Sequence, residues 1–130
     1  MKKRKIKIYE EFILNEIEYK FKHFKNEWIK QIGYHSNPDI VYNNENYKEI
    51  INLGDKVVPF LIKDLNENNG DWLFALSTIL NVDPIKKENI GNWDGMKKDW
   101  NKYIIDNEIK WIPKHIKWTF FDNQSTNTGL

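Results

Sequence analysis

Histidine is the side chain whose ordinary pKa lies nearest neutral pH, so it is the first place to look for proton transfer or metal ligation. The chain has three: His23, His35 and His115. A metal site needs several ligands converging, such as a His pair at i, i+4 or a Cys/His cluster. These three are far apart in sequence, and the absence of cysteine removes thiolate ligands, disulfides and a thiol nucleophile. Glu10, Glu11, Glu16, Glu18 and Glu27 lie in one helical stretch, but carboxylates do acid–base work only where burial or a neighbour separates their pKa values. Lys20 and Lys22 follow Glu16 and Glu18 by four residues, which predicts ordinary ion pairs on a helix surface. Asp71, Trp72, Asp94, Asp99 and Trp100 gather near two expected helix starts, where Asp is accounted for by capping and the helix dipole. There is no Gly-x-Ser-x-Gly elbow, phosphate loop or dinucleotide fingerprint. No catalytic residue, metal ligand or cofactor is therefore expected.

The two ends carry the remaining candidates. Lys2, Lys3, Arg4, Lys5 and Lys7 form a basic N-terminal arm (1–8), which with Ile6 and Ile8 reads as a frayed terminus or a short strand. Near the other end, Lys110, Lys114, His115 and Lys117 interleave with Trp111, Trp118, Phe120 and Phe121. Cations between aromatics can hold phosphates and stack bases. The same pattern suits a protein-binding surface, because aromatic side chains supply large contact area. It is equally what results when Trp residues pack on a helical core and Lys residues face water.

Behind these candidates stands a chain of 130 residues, a usual length for one domain. The hydrophobic fraction is 40% and the aromatic fraction 15%, enough to bury a core and unlike a disordered chain. The net charge of +1 gives no strong overall field toward nucleic acid or an anionic membrane. No apolar run reaches the ~20 residues that span a bilayer. Acidic residues follow the basic start where a signal peptide needs an apolar core, so Met1 is expected to begin the mature protein, in the cytoplasm.

The elements expected to position these residues are helical. Ile13, Ile17, Phe21, Phe24, Trp28 and Ile32 recur on one stripe of a helix over 9–32, stopped by Gly33. Residues 33–45 read as a loop containing Ser36-Asn37-Pro38-Asp39. Tyr47, Ile50, Ile51 and Leu53 suggest a short helix ended by Gly54. Asp55 is the expected cap of the next, with Pro59 in its first turn. Asp71 is the expected cap of a helix at 72–80, apolar on most sides. Asn92 or Asp94 opens the last, where Trp93, Met96, Trp100, Tyr103 and Ile104 share a face. The sequence thus predicts a mainly α protein, a compact bundle of about four to five helices in one domain at 9–107. A short strand or extended aromatic and basic arm follows at 108–121, then a disordered tail at 122–130.

Trp28, Tyr47-Lys48-Glu49-Ile50-Ile51-Asn52-Leu53-Gly54, Val57-Val58-Pro59-Phe60-Leu61, Trp72-Leu73-Phe74-Ala75-Leu76 and Asp83-Pro84 follow one another in order. Through them residues 24–103 resemble a family of small, uncharacterised bacterial helical proteins. Where that family often has His-Pro before the Tyr, this chain has Asn44-Glu45. The resemblance implies a compact helical fold and no activity. The function expected is a non-enzymatic protein-interaction module, of inhibitor, immunity or accessory-subunit type and bacterial or phage origin; this is analogy from size and class. Its partner would be another protein, bound through a surface that includes 108–121. The alternatives are a nucleic-acid-binding accessory protein using both basic ends and a small enzyme with an unrecognised polar cleft. The sequence sets no oligomeric state.

Overall fold

The protein, in a computed structural model, is described over residues 2–107, with side chains from Glu11 to Asn107. These residues form six α-helices and two 3-10 turns, with no strand among them. They pack as two units that divide between Val58 and Pro59. The expected strand or arm at 108–121 and the tail at 122–130 lie outside the described residues.

The first unit is built on α1 (Lys2–Ile32). This helix takes in the segment expected as a basic arm or strand, because nothing in Lys2–Ile8 stops it: no Pro, Gly or capping residue intervenes. It ends where expected, at Gly33, whose φ of +55° only glycine adopts without cost. Leu14, Phe21 and Trp28, each seven residues from the next, are its buried ridge. The expected 33–45 loop contains α2 (Pro38–Tyr42). Asn37 caps it by accepting the Asp39 N–H at 2.9 Å, and Pro38 supplies a preset helical φ at its first position. In α3 (Glu45–Asn52), Asn44 is the cap and accepts the Asn46 N–H at 2.8 Å.

Helix α1 packs on α3, and α2 also packs on α3. Trp28 and Tyr47 meet at 5.0 Å between ring centroids, and Tyr42 meets Tyr47 edge-on at 5.3 Å. The Trp28 Nε1–H donates to the Val41 carbonyl at 2.8 Å, tying α1 to α2 through a buried bond.

A 3-10 turn, Gly54–Val57, holds Asp55, so this residue is not the cap of the following helix. That helix, α4 (Val58–Asn68), carries Pro59 in its first turn as expected. The second unit holds most of α4 with α5 (Leu73–Leu80) and α6 (Trp93–Asp106). Trp72, not Asp71, is the capping residue of α5, and it makes no side-chain capping bond. Leu73, Ala75 and Leu76 of α5 are buried while Phe74 is exposed, so this helix is not apolar-packed all round. Asn92 caps α6, accepting the Gly95 N–H at 3.2 Å. Phe60, Leu61, Ile62, Leu65, Trp72, Trp100 and Ile104 are buried in this unit; each large aliphatic side chain removed from water is worth roughly 1.5–3 kcal/mol.

Candidate functional site

The side chains singled out at the two ends lie outside the described ones. Lys2, Lys3, Arg4, Lys5 and Lys7 fall in the first two turns of α1. Lys110, Trp111, Lys114, His115, Lys117, Trp118, Phe120 and Phe121 lie outside the described residues. His23 and His35 are exposed, and His23 stacks edge-on against Phe24 at 5.3 Å. Among the described residues, no group of three or more His, Cys, Asp or Glu side chains is placed to hold a metal ion. Glu16–Lys20 and Glu18–Lys22 form the expected surface pairs, at 3.3 and 3.4 Å.

Two aspartates of the second unit are buried, Asp64 and Asp99. Both hold loops. Asp64 accepts the Trp72 indole N–H on Oδ2 and the Asn68 amide on Oδ1, each at 2.7 Å, while its own carbonyl accepts the Gly70 N–H at 3.1 Å. These bonds fold the chain back between α4 and α5. Asp99 accepts the Asn89 amide at 2.8 Å and the Lys86 backbone N–H at 2.9 Å on one oxygen. The Asn89 bond first, then the Lys86 N–H, hold its carboxyl below the ordinary value; burial opposes them and the Lys86 charge helps. Asp99 thereby fastens the Lys86–Asn89 segment to α6. The expected capping role at Asp99 gives way to this long-range anchoring. Asn66 and Asn101 exchange reciprocal amide bonds at 2.9 and 2.7 Å. The Trp100 indole N–H is buried and without a hydrogen-bond partner among the described residues.

The outward side of α1 is different. Phe12, Asn15, Tyr19, Lys22, Asn26 and Ile29 advance by alternating steps of three and four residues, and all six are exposed. Such spacing draws one seam along a helix. Phe12 is 65% exposed, Tyr19 74% and Ile29 47%. On the side opposite Phe12 and Tyr19 runs the buried Leu14, Phe21 and Trp28 ridge. Helix α1 thus carries a buried ridge on one side and, among the described residues, three exposed large apolar side chains on another. Sequence reading missed this seam because the buried stripe carries the stronger periodic signal, and Asn15, Lys22 and Asn26 dilute the other.

Among the described residues, no helix is long and apolar enough to cross a membrane. In comparison with known proteins, no family model, curated protein or solved structure matches the chain. The resemblance of residues 24–103 to small bacterial helical proteins thus rests on its motif residues. Most of those described here (Trp28, Tyr47, Ile50, Val57, Val58, Pro59, Leu61, Trp72, Ala75 and Leu76) are buried.

Proposed function

We propose that the chain is a non-enzymatic protein-interaction module, acting in the cytoplasm, the compartment that suits its cysteine-free sequence. It binds another protein chain through the outward face of α1 together with the aromatic and basic segment 108–121. The observation that carries this reading is the exposed seam containing Phe12, Tyr19 and Ile29. Large aromatic side chains aligned in water are costly on a monomer and are the residue types that anchor interfaces. The buried carboxylates support it from the other side, since the hydrogen bonds of Asp64 and Asp99 serve loop geometry. The test is affinity capture from extracts of the source cell, followed by rebinding of the purified captured protein. Phe12→Ser with Tyr19→Ser, or removal of 108–121, is expected to weaken rebinding by at least tenfold, which is about 1.4 kcal/mol. Rebinding indifferent to both changes would contradict the proposal.

A second reading, nucleic-acid binding, draws support from the five cations in the first two turns of a single helix. It predicts affinity that falls steeply with salt as phosphate counterions are released. Absence of any mobility shift at low salt would dismiss it.

A further inference from the structure

Building on the reading of the outward face of α1 as an interaction surface, we infer that its occupant is a second copy of this chain, with the two α1 helices antiparallel. The charge pattern along the helix selects both the partner and its direction. When Asn15 of one copy faces Asn26 of the other, Phe12 faces Ile29 and Tyr19 faces Lys22, and twofold symmetry repeats each layer. Phe12 and Ile29 bury their exposed surface against each other. The Lys22 ammonium lies over the Tyr19 ring, a favourable cation–π arrangement. Two facing asparagines can exchange amide hydrogen bonds, as Asn66 and Asn101 do within the second unit, and a polar layer of this kind fixes register.

The flanking charges agree. The same register sets Glu18 beside Lys25 of the second copy and Glu16 beside His23, with no like-charged neighbours among these positions. The existing Glu16–Lys20 and Glu18–Lys22 pairs are solvent-exposed, so sharing their carboxylates costs little. A parallel pairing fares worse in its charges. It sets Lys22 against Lys22, Glu11 beside Glu16 and Lys25 beside Lys30. The seam from Phe12 to Ile29 runs about 26 Å at 1.5 Å per residue. That is a contact at the small end of specific interfaces, so the pairing is weak and concentration-dependent.

The absence of cysteine from the whole sequence makes the register directly readable. Asn15→Cys and Asn26→Cys are prepared as separate full-length proteins, mixed, and oxidised gently. Facing layers bring the two Cβ atoms within disulfide reach. The mixture is expected to cross-link several-fold faster than either protein alone, and Phe12→Ser with Tyr19→Ser in both is expected to remove that advantage. Unchanged far-UV circular dichroism of the four proteins shows that the fold is retained. Cross-linking of Asn15→Cys alone as fast as the mixture overturns the antiparallel register. No cross-linking in the mixture overturns self-pairing; if a captured heterologous protein still depends on Phe12 and Tyr19, the interaction reading stands without it.

Discussion

Replacing Gly70 by alanine is a sensitive probe of the second unit. A Cβ there would stand closer to Asp64 Oδ2 and Trp72 Nε1 than real Cβ atoms come to such neighbours. Those two atoms bond to each other at 2.7 Å, and both side chains are buried. Neither is the loose end of a surface chain, so the methyl group must part them. Backbone strain is not involved, because Gly70 is not among the positive-φ residues. Separating a carboxylate from an indole N–H out of reach of water costs about 2–4 kcal/mol. The stiffer unfolded chain that alanine brings returns about 0.4–1 kcal/mol. Gly70→Ala should therefore destabilise by about 1–3 kcal/mol, a fall of roughly 1 M in the urea midpoint at ordinary slopes. Far-UV circular dichroism and tryptophan fluorescence would follow the transition. In a Trp72→Phe background the bond is already gone, so the same substitution should cost less, with a coupling of about 1 kcal/mol or more. An unchanged midpoint, or strictly additive effects, would refute the reasoning.

Trp28→Phe removes the donor to the buried Val41 carbonyl; a loss of about 1–3 kcal/mol is expected in thermal melts, and a loss within error would count against the bond. Asp99, with its carboxyl lowered in the folded state, binds its proton less readily there than in the unfolded chain. Its contribution to stability is thus present above the ordinary carboxyl range, about pH 4, and is lost as pH falls through its lower folded value. The stability gap between the wild type and Asp99→Asn should narrow on acidification, and a gap constant from pH 6 to pH 2.5 would contradict this. Lys3 and Arg4 sit at the positive end of the α1 dipole, and the first turn of that helix holds no acid. Exchanging both for Glu should raise stability by about 0.3–1 kcal/mol per site at low salt, fading as salt is added; loss of helicity would speak against a helix beginning at Lys2.

Much of the helical framework was legible in the sequence. The stripe through Phe21 and Trp28 is buried or half-buried, Gly33 and Gly54 stop their helices, and Asn92 caps α6. These are local signals: spacing of apolar residues, a left-handed stop, a side-chain acceptor in the right place. Legibility failed where local chemistry has two outlets. Asp55 and Asp71 have the composition of caps, yet Asp55 sits inside a 3-10 turn and Trp72 occupies the position before α5. Asn37-Pro38-Asp39 reads as a turn and is also a sound start for the short α2. The roles of Asp64 and Asp99 were hidden because their donors come from residues 4 to 13 positions away. The outward face of α1 was hidden for a different reason. Periodicity finds the stronger of two stripes, and exposure separates a core face from a free one only after the other elements are in place.

Sedimentation equilibrium of the full-length protein over a wide concentration range tests the pairing of α1 with a second copy most directly. The mean mass is predicted to rise from 15.7 kDa toward twice that value with concentration. The Phe12→Ser, Tyr19→Ser variant should stay at the monomer mass with its helicity intact. A wild-type mass that stays monomeric at every concentration, or a variant that associates as strongly as the wild type, would contradict the pairing of α1 with itself.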